Sequence, residues 1–257
     1  MATEAQRQKA LDTIRENIAR TGKHIYCVLG GPDPRFVYTI GVSEWLNFEL
    51  VFAGGCFYSR NDAQEIINDI VEALKHNPAW EAREFKTDSC CSFTLRPVDS
   101  TWSCKLLLGA LDYYGVKEIP ALQVVPDKNH WTIDVPDMTR PWNAESAPIW
   151  RWLSQPWTYP VPKDSFAVTD LAALRGERVT EAARWGEDEW EIFVGDGPDI
   201  PKDEVRPVPL GVLVESDPSL RVVFDLKIEE GICRGDDGEW SPLFKPAQDG
   251  SEAHEDG

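Results

Sequence analysis

The chain has 257 residues, 42% of them hydrophobic, and a formal net charge of −18 at pH 7. That length and apolar content argue against wholesale disorder and allow one large or two moderate domains. The charge disfavours nucleic-acid binding, because phosphates call for a basic face, and no apolar run approaches the roughly 20 residues that span a bilayer.

The N-terminal segment reads as an amphipathic helix over residues 3–20. Leu11, Ile14 and Ile18 share one face, and Gly22 stands where a C-cap belongs. Residues 1–17 are charged and lack a signal-peptide core, so a cytoplasmic setting is expected. Two strand-like runs follow, Tyr26 to Leu29 and Phe36 to Ile40, joined by Gly30-Gly31-Pro32-Asp33-Pro34. The glycines supply unusual backbone angles, the prolines fix the turn, and Asp33 is suited to bonding nearby amides. This hairpin organises the first half of the chain. Its Gly-Gly-Pro is no phosphate cradle, since the lysine and the following helix are missing.

Glu49 to Ala53 reads as a strand ended by Gly54-Gly55. Ser59 and Asp62 have the spacing of a capping box. Ala63, Ile66, Ile67, Ile70, Val71 and Leu74 form a wide apolar stripe, so a helix packed on the sheet is expected up to Pro78. Residues 84–86 and 91–98 are strand candidates. Asp99 or Ser100 caps a predicted helix running to Tyr114 and stopped by Gly115. Residues 121–125 read as a strand, with 130–134 continuing the sheet after a turn.

Residues 136–162 hold Trp142, Trp150, Trp152 and Trp157 among six prolines, a poor helix and a poor central strand. An ordered, packed connector is expected, with an aromatic ligand clamp as the alternative. Beyond it, residues 166–169 form a strand and Asp170 starts a helical turn. Trp190, Ile192 and Val194 mark a half-exposed strand, with Val205 to Val208 as its partner. Asp217-Pro218 opens a short helix. Residues 231–234 and Trp240 close the domain. The predicted organisation is α+β, with two domains, each a mostly antiparallel sheet with packed helices: residues 1–163, residues 164–246, and a disordered acidic tail over 247–257.

Residues 166–257 carry 23 acidic and 9 basic side chains, net −14, against −4 for the first 165. An acidic half suits a basic protein partner and speeds its encounter, although solubility alone is the simpler account of the charge. Trp185 and Trp190, if exposed among Glu187, Asp188, Glu189 and Glu191, would be anchors for such a partner. In the first half His24, Asp33, Arg35, Tyr38 and Cys56 are the candidates for a pocket that binds a small molecule or performs chemistry. No serine-hydrolase elbow, phosphate loop, dinucleotide fingerprint or zinc-protease helix motif is present. The six cysteines, Cys27, Cys56, Cys90, Cys91, Cys104 and Cys233, form no C-x-x-C pair, and the four histidines are scattered. Cys90 and Cys91 are strand neighbours and point to opposite faces. Free thiols are expected, with no metal, cofactor or catalytic residue assigned.

Two resemblances bear on function. Phe36-Val37-Tyr38-Thr39-Ile40-Gly41, Glu49-Leu50-Val51-Phe52 and Leu122-Gln123-Val124-Val125-Pro126-Asp127 resemble the bacterial family called domain of unknown function 4262. The resemblance extends from His24 to about Trp157 and implies architecture more than activity. Two departures stand out: Asn47-Phe48-Glu49-Leu50 replaces a usual His-Pro-Glu-Leu, and Asn129-His130-Trp131 replaces a usual Gly and Phe-Pro-Trp. Ala167-Val168-Thr169, the run Trp190 to Asp196, Pro209-Leu210-Gly211 and Asp217-Pro218-Ser219-Leu220 are similar to domain of unknown function 2185, the immunity protein 33-like family. That resemblance implies a bacterial immunity protein that neutralises a polymorphic toxin by direct binding.

Overall fold

The computed structural model describes residues 3–87, 91–195, 197 and 200–243 and has an α+β fold with two six-stranded sheets. Cys90 and the predicted tail over 247–257 lie outside the described residues. Helix α1 (Glu4–Thr21) starts at a capping box between Thr3 and Gln6 and ends at Gly22, whose φ of 79° is left-handed. Strands β1 (His24–Val28) and β2 (Phe36–Ile40) form the expected hairpin, with His24 opposite Ile40 and Val28 opposite Phe36. A short α2 (Ser43–Leu46) leads to β3 (Glu49–Ala53), antiparallel to β2. Helix α3 (Arg60–His76) is capped by Ser59 and Asp62 and buries all six residues of its stripe. Then come β4 (Glu84–Lys86), β5 (Ser92–Pro97), α4 (Ser100–Leu106), α5 (Leu108–Tyr114) and β6 (Ala121–Pro126). The strand order is β1-β2-β3-β6-β5-β4, and only β3 and β6 run parallel.

The second sheet contains β7 (Phe166–Asp170), β8 (Glu181–Arg184), β9 (Glu189–Phe193), β10 (Val205–Pro209), β11 (Glu230–Arg234) and β12 (Trp240–Pro242), in the order β10-β7-β9-β8-β11-β12. Helix α6 (Leu171–Leu174) follows β7, and α7 (Leu210–Ser216) follows β10. Buried Asp170 caps α6 through the Ala173 amide and also accepts from the Val194 amide, so it ties β7 to the end of β9.

α3 covers one face of the first sheet, where Val37, Leu50, Phe52, Phe93, Leu122 and Val124 meet its stripe. The opposite face, including Phe36, Tyr38 and Val51, belongs to an apolar cluster that runs without a break into Trp190, Ile192, Val212 and Val223 of the second half. The tryptophan- and proline-rich connector makes that junction. Its 3₁₀ helix, Pro148–Leu153, buries Trp150 and Trp152, and the Trp150 indole donates to the Asp134 carbonyl. Trp152, Trp157 and Tyr159 pack on one another, and Tyr159 stacks on Phe224 with ring centres 4.5 Å apart. Glu215 of α7 accepts from Tyr159 and pairs with Arg151. These aromatics pack on one another and on Phe224, as an ordered connector does.

Several expectations are corrected. The helix after Asp99 breaks at Leu107 into α4 and α5. Residues 130–134 form turns, not a strand, yet Thr132 and Asp134 are buried. β10 pairs with β7, because β9 is already flanked by β7 and β8. β8 reads Glu-Ala-Ala-Arg, a sequence without strand preference, and is held by its neighbours β9 and β11.

Candidate functional site

A cavity of about 690 Å³ lies beneath the Gly30–Pro34 turn, and both halves of the chain build it. The first hairpin supplies Leu29, Pro34 and Arg35. The β3–α3 loop supplies Cys56, Phe57 and Tyr58, and the start of α3 adds Arg60 and Asp62. Asp134 comes from the segment after β6. Asp164, Ser165 and Phe166 enter at the start of β7, and β10 with α7 closes the far wall through Val205, Arg206, Val208 and Val212.

The β3–α3 loop takes this path because Gly54 and Gly55 hold φ at +70° and +72°. A Cβ on Gly54 would lie 2.1 Å from the Asp134 carbonyl oxygen, and one on Gly55 would lie 2.7 Å from the Phe52 ring. The close approach brings Cys56 onto Asp134. The Cys56 amide donates to Asp134 Oδ2 at 3.2 Å, its thiol donates to Oδ1 at 3.2 Å, and the Thr132 hydroxyl donates to Oδ1 at 2.6 Å. Burial first, and then the charge of Asp134, push the Cys56 thiol well above its ordinary value. The sulfur therefore remains a thiol, and a thiol is a poor nucleophile.

Arg35 donates to the carbonyls of Gly55 and Tyr58, which fixes the loop from inside. Its Nε is buried without a partner, and so is the Ser165 hydroxyl. Burial also lowers the Arg35 pKa from its ordinary value. Arg206 donates to the carbonyls of Phe57, Asp203 and Val205, so it links β10 to the loop of the first half.

Of the five pocket candidates, Arg35 and Cys56 line this cavity. Asp33 sits beside it in the turn, with Oδ1 buried and unpartnered, and the Leu153 amide donates to its carboxyl. Burial pushes that carboxyl up to about 7. His24 and Tyr38 are placed elsewhere. His24 lies at the far end of β1, bonded to Asn17 at 3.0 Å, and burial lowers its pKa. The Tyr38 hydroxyl accepts from the Gly109 amide of α5, and its ring stacks on Tyr26. Sequence reading missed Asp134, Ser165, Arg206 and Val212. The Gly54-Gly55 pair was the one visible signal, since paired glycines mark a close backbone approach.

The candidate partner cluster is split by the pleat of β9. Trp185 is 44% exposed at the β8–β9 turn and donates to Glu191 Oε2 at 2.7 Å. Glu187, Asp188 and Glu189 are exposed beside it. Trp190 is not an exposed anchor: it is fully buried, its indole donates to the Val223 carbonyl, and Arg184 lies 4.7 Å over its ring. Alternation along the strand turns residue 190 inward between two outward glutamates.

Among the described residues no group of His, Cys, Asp and Glu side chains could hold a metal ion. Among the described residues no helix is long and apolar enough to cross a membrane. No curated protein and no solved structure matches the chain. A family model described as "Domain of unknown function (DUF4262)" matches residues 17–131, the segment that carries the whole first sheet and the Arg35 and Cys56 wall of the cavity.

Proposed function

We propose that this protein binds a small organic molecule in the cleft between its two sheets, as a binding protein rather than a catalyst. The observation that carries this reading is the cavity itself. At about 690 Å³ it falls within the range of roughly 300–1,000 Å³ usual for small-molecule sites, and it has the usual composition of apolar walls with a few placed polar groups. Its one thiol, Cys56, is held protonated, and no histidine lines the cavity to act as a base. The test is titration with an uncharged fluorescent probe, N-phenyl-1-naphthylamine. Saturable binding by the wild-type chain, lost in Val212→Trp and weakened in Pro207→Trp, supports the cleft. Binding that survives Val212→Trp in a folded variant overturns it.

A second reading is favoured by the exposed Trp185 with its three acidic neighbours. It makes the β8–β9 turn a docking point for a basic protein, in keeping with the resemblance of residues 166–241 to immunity proteins that neutralise toxins. An aromatic anchor inside a charged rim is a usual hot-spot arrangement. Capture of a toxin encoded beside this chain, abolished by Trp185→Ala with Glu187→Lys and Asp188→Lys, would support it. Unchanged capture by that variant would exclude the turn as the contact.

A further inference from the structure

We propose that the occupant of the cleft is an organic anion, an apolar body bearing one carboxylate or sulfonate head; this rests on the cleft reading above. Three arginines, Arg35, Arg60 and Arg206, line the cavity, and among the described residues none of them forms an ion pair with a carboxylate. Arg35 and Arg206 donate to backbone carbonyls instead. Carbonyl dipoles orient a guanidinium without cancelling its charge. In a chain of net charge −18, three guanidiniums without an ion-pair partner around one cavity offer an anionic head its donors.

The cavity also has carboxylates, and their oxygens are largely used. Asp62 accepts from the Ser59 amide in the α3 cap, and Asp134 accepts from Cys56 and Thr132. Asp164 stands on the exposed rim. The N-terminal end of α3 faces the same space and adds roughly half a positive charge. Arg35 Nε and Ser165 Oγ, both of lining residues, are among the buried polar atoms with no partner. Both can donate to an acceptor, which is what an anionic head offers. Phe57, Phe166, Val208 and Val212 provide the apolar wall for the rest of the molecule.

A matched pair of probes separates charge from shape. 8-Anilinonaphthalene-1-sulfonate and N-phenyl-1-naphthylamine share one aromatic body and differ in the sulfonate. The sulfonate is expected to bind at least about tenfold more tightly, the worth of one hydrogen bond to a charged group. Arg206→Gln should weaken the sulfonate about tenfold to a hundredfold and the neutral probe far less. Arg206→Lys should recover most of the loss, and the neutral probe controls for damage to the fold. Equal affinity for the two probes, or equal losses of both in Arg206→Gln, overturns the anion assignment while leaving the cleft standing. Failure of both probes to bind, or binding of both that is unchanged by Val212→Trp, removes the cleft and the anion together.

Discussion

The Cys56 thiol donates to Asp134 Oδ1 across 3.2 Å, although the two residues are 78 positions apart in the chain. This contact, with the Cys56 amide and the Thr132 hydroxyl on the same carboxylate, closes the β3–α3 loop against the segment after β6. Replacing Asp134 by Asn puts an amide against three donors and leaves at least one of them unpaired. A loss of about 1–3 kcal/mol is expected, read by urea denaturation. Gly54→Ala should cost at least as much, because its Cβ would lie 2.1 Å from the Asp134 carbonyl oxygen at a left-handed φ. Wild-type stability in both variants would mean that the loop is held by something else.

Cys56 should resist thiol reagents. Its thiol is buried and pushed well above its ordinary value, whereas Cys27, Cys104 and Cys233 are partly exposed. Peptide mapping after brief alkylation at about pH 8 should find Cys56 unmodified while those three are labelled, as thiolate formation sets the rate. Rapid labelling of Cys56 in the folded chain would return a catalytic role to consideration.

Two carboxyls make stability fall as pH rises. Burial pushes Asp33 from 3.8 up to about 7, and Glu49 from 4.5 up to about 7 despite donors from Thr39, Gly41, Ser43 and Tyr114. The folded chain therefore binds more protons than the unfolded chain between the ordinary values and about 7. Their contribution is complete below the ordinary values and is lost as pH climbs through the folded ones. The melting temperature should fall between about pH 5 and about pH 7.5, and Asp33→Asn should reduce that fall. An identical pH profile in the variant would show that Asp33 titrates normally.

The two tryptophans flanking the β8–β9 turn should behave oppositely. Trp190→Ala opens a hole in the core and should cost about 3–5 kcal/mol. Trp185→Ala, at an exposed turn, should stay within about 1 kcal/mol. Comparable losses at the two positions would contradict the assigned facing of β9.

The first sheet was readable because its signals are local. The capping box at Ser59 and Asp62, the six-residue stripe of α3 and the turn-bounded hairpin all lie within a few turns or strands of chain. β8 was not readable, since Glu-Ala-Ala-Arg becomes a strand only between two neighbours. The cleft was half readable. Arg35 and Cys56 lie near glycine pairs that announce close backbone contact, but Asp134, Ser165 and Arg206 enter from elements distant in sequence. Tyr38 was misplaced because β2 is buried on both faces. Its side chain goes to α5, a choice that no alternation reveals. Trp190 looked like an anchor because its sequence neighbours are acidic, whereas the pleat separates it from them.

A crystal structure with 8-anilinonaphthalene-1-sulfonate bound tests the cleft most directly. Density for the naphthalene ring against Phe57 and Val212, with the sulfonate toward Arg35 or Arg206, is the expected result. Probe density confined to another surface, with the space beneath the Gly30–Pro34 turn empty at saturating probe, would contradict it.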